Sequence, residues 1–197
     1  MNKLWAIFLV SIFIVGCGGF RSTRNIVPLP NEEMTILKLS NGVAMTKNRI
    51  SVAIAPIQDV KELDVFGVLI VNDTSNWISV KQEECMLVLD GKAVYPMETK
   101  TALARLGTGY KAKMPTTFTA DVFEWRKDIN NRSSRSSKVV DEDKKVSIVT
   151  GSKDTIYLYF STQGSNAPMQ LIIPNVYNET TKERTSFSFK FEIQKKK

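Results

Sequence analysis

The sequence contains no histidine and only two cysteines among its 197 residues. Without histidine, the chain lacks the side chain that titrates nearest neutral pH and is the commonest metal ligand. Two cysteines are too few for a small scaffold held together by disulfides. Glycine and proline are also scarce, at ten and seven residues, which excludes collagen-like and low-complexity chains. We therefore expect one globular domain without a cofactor or a bound metal ion.

The carboxylates show no spacing that is typical of a catalytic or calcium-binding site. Glu83 and Glu84 are adjacent, and neighbouring residues on a strand point to opposite faces, so they cannot readily act on one substrate. The acidic run 141–143 lacks the spaced oxygen ligands and the glycine of a calcium loop. We predict that the protein is not an enzyme.

The first 17 residues have the layout of an export signal. A short cationic start precedes the run 4–15, in which only Ser11 is polar, and Gly16 and Cys17 close the segment. A membrane-spanning helix needs about 20 apolar residues, so this run is too short to serve as one. The pattern predicts a secretory signal peptide.

The residues Ile14, Val15, Gly16 and Cys17 resemble the lipobox of bacterial lipoproteins. This resemblance implies that residues 1–16 are removed as a lipoprotein signal peptide and that Cys17 carries the lipid. It also implies transfer to the outer membrane, because Gly18 rather than aspartate follows the cysteine. The implied location is the bacterial cell envelope, with the membrane as a partner through the N-terminal lipid.

Residues 17–31 are predicted to be a flexible basic tether between the lipid and the domain. The segment contains Arg21, Arg24, Pro28 and Pro30, has no acidic residue and shows little periodicity.

The chain from residue 49 onward has the period of β-strands. In 49–55 apolar residues alternate with smaller or polar ones, while 65–71 is apolar on both faces, as in a central strand that is covered on both sides. Asp90 and Gly91 fit a two-residue hairpin turn between strands. Further strands are expected at 77–80, 84–89, 92–95, 146–150, 155–160, 169–173 and 186–193.

These short strands predict a mainly β fold, an antiparallel β-sandwich over residues 32–197. The pattern weakly resembles small exported immunoglobulin-like domains. Phe118, Val122 and Trp125 are spaced as on one face of a short helix, which we expect over one end of the sandwich. Residues 127–143 are rich in serine, asparagine and charge, and are predicted to be a mobile insertion.

Three aromatic side chains are candidates for ligand contact. Alternation places Tyr157 and Tyr159 on the face opposite Ile156 and Leu158, where they form either an exposed aromatic strip or a second buried face. Trp125 is the third candidate. Cys85 shares a strand face with Leu87 and is expected to be a buried, inert thiol, although an oxidising compartment would also permit a mixed disulfide.

The formal charge of +7 favours anionic partners, namely an acidic envelope protein or an acidic glycan. The alternative interpretation is that dispersed lysines keep the domain soluble. Nucleic acid is not expected as the partner of an exported protein. The sequence therefore predicts a lipid-anchored envelope lipoprotein that is a non-catalytic binding or scaffolding module. The alternative is a lipoprotein that binds a glycan or cell-wall ligand through its aromatic residues.

Overall fold

The computed structural model describes residues 24–60, 62–107, 109–134, 136–137, 145–162 and 165–195. Within these ranges the chain is built mainly from β-strands, with two short α-helices and two 3₁₀ turns, Gln82–Glu84 and Ile129–Asn131. The helices are α1 (Thr99–Leu106) and α2 (Phe118–Trp125). The strands are β1 (Arg24–Pro28), β2 (Thr35–Leu37), β3 (Gly42–Lys47), β4 (Ile50–Ile57), β5 (Asp64–Asn72), β6 (Ile78–Lys81), β7 (Met86–Leu89), β8 (Lys92–Val94), β9 (Ser136–Ser137), β10 (Lys145–Ile148), β11 (Lys153–Phe160), β12 (Met169–Asn178) and β13 (Arg184–Lys195).

The strands form two antiparallel sheets that pack face to face. The eight-stranded sheet has the order β1-β13-β12-β6-β10-β9, and β7 pairs with both β12 and β8. The five-stranded sheet has the order β11-β5-β4-β3-β2. The predicted antiparallel β-sandwich is confirmed.

The core between the sheets follows from the period of two along each strand. Phe187, Phe189 and Phe191 of β13 point inward and are fully buried, whereas Ser186 and Lys190, which alternate with them, are exposed. The ring of Phe191 lies 5.2 Å from that of Phe66 on β5, centroid to centroid. The last strand therefore has one buried and one solvated face, as the sequence predicts.

The hairpin between β7 and β8 turns at Asp90 and Gly91. Both residues have positive φ, 48° and 75° respectively, which a type I′ turn requires and which aspartate and glycine tolerate. This turn is also as predicted.

The outer face of the five-stranded sheet is covered by the segment between β8 and β9, which carries both helices. Helix α2 packs with Phe118 and Val122 on Ala53 and Leu69, and α1 packs with Ala102 near Val65. The short helix thus lies on a sheet face, and the predicted position over one end of the sandwich is wrong. Small side chains such as Ala44, Ala53 and Ala55 allow this close approach.

Gly67 lies in the middle of this covered face, opposite Tyr157 in the ladder. A Cβ atom at this position would lie 2.0 Å from Sδ of Met114. The absence of a side chain on Gly67 thus makes room for Met114 to pack on the sheet between the two helices.

Part of the predicted tether is a strand. Residues 24–28 form β1, which pairs with β13 from Arg24 opposite Lys195 to Pro28 opposite Phe191. Ile26 is buried in the core, so this part of 17–31 is fixed by one apolar side chain and a backbone ladder. Residues 17–23 lie outside the described residues.

Part of the predicted mobile insertion is packed. Ile129 is buried against α2 and the five-stranded sheet, and Arg132 forms an ion pair with Asp73 at 2.5 Å. Burial of one side chain and a charge pairing with a distant turn therefore order residues 127–134, which the polar composition alone did not indicate. Residues 135 and 138–143 of the insertion lie outside the described residues.

Candidate functional site

The predicted lipidation residue Cys17 lies outside the described residues, as do Arg21, Arg135 and Lys138. Its role stays a prediction from sequence. Within the described residues, neither helix is long and apolar enough to span a membrane.

Tyr157 and Tyr159 do not form an exposed aromatic strip. Tyr159 is 3% exposed and packs with Ala102 of α1, and Tyr157 is half-buried beside the same cluster. Burial raises the pKa of Tyr159 to about 12, with further contributions from Tyr110 and Tyr157, and burial also raises the pKa of Tyr157. The exposed-strip interpretation is wrong for this pair, and the second-buried-face alternative is confirmed.

Trp125 is also engaged in packing. It is the last residue of α2 and lies half-buried against the cluster formed by Phe118, Val122 and Ile129. Among the residues that the structure describes, the most exposed aromatic ones are instead Tyr95 and Trp77, the latter 51% exposed just before β6.

Cys85 is buried, as predicted. Its Sγ lies in the core with Leu87 and Leu89, 3.7 Å from the carbonyl oxygen of Lys81. Burial raises its pKa to about 12, and the neighbouring Glu84 carboxylate adds to the increase. Since the thiolate is the reactive form, this thiol is inert in the folded protein.

The outer face of the eight-stranded sheet, which we call the open face, is not covered by any described helix. Its polar residues alternate with core residues along β6, β10, β12 and β13. At one end they surround a hollow of about 200 Å³, here called the charged groove. The groove is lined by Ser79, Lys81, Glu84, Lys145, Asn175, Tyr177, Glu179 and Arg184.

The register of the sheet brings the groove residues together. Lys145 on β10 lies opposite Lys81 on β6, and Tyr177 on β12 lies opposite both Ser79 on β6 and Arg184 on β13. Three cationic side chains from three strands, Lys81, Lys145 and Arg184, thus line one groove. The guanidinium of Arg184 and the ammonium of Lys182 lie 6.0 and 5.6 Å from the centroid of Tyr177.

The two carboxylates of the groove are already held by neighbours. Glu179 accepts a hydrogen bond from Ser79 Oγ at 2.6 Å and an ion pair from Lys145 at 3.4 Å. The Ser79 hydroxyl, with Lys145 and Lys182, lowers the pKa of Glu179. Glu84 accepts a hydrogen bond from Asn175 at 2.8 Å and lies 4.0 Å from Lys81. With Lys81, Lys145 and Arg184 against these two carboxylates, the groove lining carries a surplus of positive charge.

Arg132 of the insertion and Arg126 just before it are paired with carboxylates. Arg126 and Arg132 both bind Asp73 and Asp128, in a ring of ion pairs between 2.5 and 2.8 Å long. The hydrogen bond from Arg126, with one from Arg132, lowers the pKa of Asp128 to about 2. This ring ties the insertion to the turn after β5, so it stabilises structure.

A second recess of about 420 Å³, here called the edge cleft, lies beside β11. It is lined by Gln82, Glu83, Pro96, Met97, Glu98, Thr99, Lys100 and Tyr157. Of the predicted contact residues, only Tyr157 lies at a recess.

Among the residues that the structure describes, no three or more potential metal ligands of the His, Cys, Asp and Glu types cluster together. Comparisons of the chain with protein-family models, with curated proteins and with solved structures find no match.

The charged groove was not predicted from sequence. The alternation of Ser79 and Lys81 with Ile78 and Val80 indicates that both lie on the face opposite the core. It does not indicate that β10 and the end of β12 flank β6, because that pairing joins segments far apart in the chain.

Proposed function

We propose that this protein is a lipid-anchored lipoprotein of the bacterial cell envelope and that it acts as a non-catalytic binding or scaffolding module. Its open face receives an acidic partner at the charged groove. The observation that carries this proposal is the difference between the sheets: helices cover the outer face of one, and the outer face of the other is left to solvent with a basic groove.

The charge of the groove supports an acidic partner. Glu84 and Glu179 are neutralised by their neighbours, and Arg184 is exposed beside Tyr177. Cations that exceed the local carboxylates attract an acidic surface and accelerate its association. Attachment through a lipid on Cys17 would keep the domain at the membrane while this face stays free.

Site-specific photo-crosslinking in cells tests the open face. A photoreactive residue at Ser186, on the open face, is compared with one at Thr119, which is exposed on α2 above the covered face. We expect a discrete adduct from position 186 that weakens in the Arg184→Glu variant. Equal adduct yields from both positions would contradict the assignment. So would an adduct at position 186 whose yield is unchanged in the Arg184→Glu variant.

The anchor is tested separately by fractionation and mass spectrometry. We expect Cys17 of the membrane-extracted protein to be acylated and to be the first residue. The Cys17→Ser variant should leave the membrane fraction, and its continued sedimentation with membranes would count against a lipid anchor.

The alternative of a glycan-binding lipoprotein rested on Tyr157, Tyr159 and Trp125 as a sugar platform. Tyr159 is buried and the other two are half-buried in packing, so the geometry favours a protein partner over a stacked sugar.

A further inference from the structure

Two edge strands of the sandwich are five or more residues long, and they differ in how their free backbone groups are protected. These are β1 and β11, whereas β2, β8 and β9 have three residues or fewer. An edge strand carries a row of N–H and C=O groups that another strand can pair with, unless side chains or prolines block it.

The β1 edge is blocked. Leu29 donates to Lys190 of β13, so by alternation Ile26 and Pro28 direct their backbone groups away from the sheet. The Gln58 side chain accepts from the N–H of Ile26 at 3.3 Å and donates to its carbonyl oxygen at 2.9 Å. Pro28 has no N–H to offer. No further strand can add here without displacing Gln58.

The β11 edge is blocked only at its ends. Asn72 of β5 donates to Ser152, so the outward backbone groups belong to Lys153, Thr155, Tyr157 and Tyr159. The N–H of Lys153 donates to Ser133, and the carbonyl oxygen of Tyr159 accepts from Met97 at 2.7 Å. The N–H of Thr155 donates to the carboxylate of Asp154 at 2.8 Å.

The middle of the β11 edge is open. Among the described residues, no backbone or side-chain group is bonded to the outward N–H and C=O of Tyr157. The edge cleft lies beside this residue, with Pro96 and Met97 as an apolar wall. Glu83 on the opposite wall is exposed and forms no ion pair within the described part of the chain.

We propose that the β11 edge from Thr155 to Tyr157 binds an extended segment of a partner protein by strand addition, with a basic side chain of that segment beside Glu83. The free backbone groups select an extended peptide, as in other cases of strand addition. The carboxylate of Glu83 selects the charge. This site is separate from the charged groove and goes beyond the function proposed above.

A second copy of the chain fits this edge less well than a peptide does. Ser133 and Met97 close the two ends, leaving a slot about three residues long. Pairing of two β11 strands along their full length would displace both. A short segment needs only three outward groups, the carbonyl oxygen of Thr155 and the N–H and carbonyl oxygen of Tyr157, because Tyr159 is buried.

The test is hydrogen–deuterium exchange, at single-residue level, on the full chain purified in detergent. The probe is the blocked heptapeptide Val-Lys-Val-Lys-Val-Lys-Val, compared with versions that carry glutamine or glutamate in place of lysine. A fourth peptide has its three central amides N-methylated, so it cannot donate to a strand. We expect the lysine peptide to slow exchange at the amide of Tyr157, the glutamate peptide to slow it less, and the methylated peptide not to slow it at all.

A matched pair of variants isolates the backbone contact. Tyr157→Ala keeps the outward N–H and loses the ring, whereas Tyr157→Pro loses both. Because one hydrogen bond is worth about 1 kcal/mol, we expect the proline variant to bind the lysine peptide about five- to tenfold more weakly than the alanine variant. If the proline variant does not fold, the methylated peptide decides the same question.

Three results would overturn the proposal: no protection by any peptide, equal protection by the methylated peptide, or strongest protection by the glutamate peptide. Protection that rises with protein concentration in the absence of peptide would assign the edge to a second copy instead. Crosslinking at Ser186 does not involve this edge, so the two proposals fail independently.

Discussion

The outer faces of the two sheets are built from different residues and have different surroundings. On the five-stranded sheet the outward positions of β4 and β5 include Ala53, Ala55, Gly67 and Leu69, and the two helices and Met114 cover this face. On the eight-stranded sheet the outward positions of β13 are serines and charged residues such as Lys190, open to solvent.

This difference shows how a strand's composition reflects what lies on each of its faces. A strand that is apolar on both faces, such as β5, must be covered twice, because neither face can be left in water without cost. A strand in which apolar and polar residues strictly alternate, such as β13, needs to be covered only on its apolar face.

The largest effect is expected inside the sandwich. Phe189→Ala should destabilise the protein by about 3–5 kcal/mol, because it removes a fully buried ring from the shared core. Ser186→Ala, on the open face of the same strand, should change stability by less than about 0.5 kcal/mol. Urea midpoints measure both, and two small, equal effects would contradict the observed orientation of β13.

The second prediction concerns the covered face. Phe118 and Phe123 belong to α2, but Phe118 is buried on the sheet and Phe123 is 43% exposed. We expect Phe118→Ala to cost about 3 kcal/mol and Phe123→Ala less than about 1 kcal/mol. Thermal or urea unfolding compares the two, and a reversed order would show that the helix packs with its other side.

The third prediction concerns the buried carboxylate that joins α2 to the β2–β3 turn. Asp121 accepts from the N–H groups of Leu39 and Ser40, at 3.2 and 2.8 Å, and from Ser40 Oγ at 2.6 Å. Asp121→Ala leaves these donors unsatisfied, and we expect a loss of about 1–3 kcal/mol. Glu124→Ala on the exposed side of the same helix is the control. An unchanged urea midpoint for Asp121→Ala would show that the turn does not depend on this contact.

The smallest effect is expected at the ion-pair ring of the insertion. The pKa of Asp128 is lowered to about 2 from 3.8, so its stabilising effect is complete above the unfolded-state pKa and is lost as pH falls through the folded-state value. Its side chain is 48% exposed, and solvent screening limits the effect to less than about 1 kcal/mol.

The measurement is the difference in urea midpoint between the parent and Asp128→Asn at several pH values. We expect the parent to be slightly more stable at pH 7 and the difference to vanish as the pH falls from about 4 to about 2. The difference should also shrink at high salt. A difference that does not change with pH would show that the carboxylate charge is not responsible.

The strands that are predictable from sequence are those with one solvent-exposed face or with a recognisable turn at one end. The alternation of Phe187, Phe189 and Phe191 and the Asp90-Gly91 turn both match the structure. The strand β3 was not predicted, because Val43, Ala44 and Met45 are all buried and leave no alternation to read.

The candidate contact residues show the limit of the same reasoning. Period two correctly separates Tyr157 and Tyr159 from Ile156 and Leu158. It does not indicate whether the second face meets water or a helix, and here Ala102 of α1 packs against Tyr159.

In the strands with regular alternation, the order of residues shows which side chains share a face; it also shows where a tight turn reverses the chain and that Cys85 belongs to the core. Which strands are neighbours, which outer face is covered and that Arg132 pairs with Asp73 follow from the three-dimensional structure alone. The reason is physical: alternation and turn conformation depend on residues a few positions apart, whereas coverage, ion pairing and open edges depend on contacts between segments far apart in the chain.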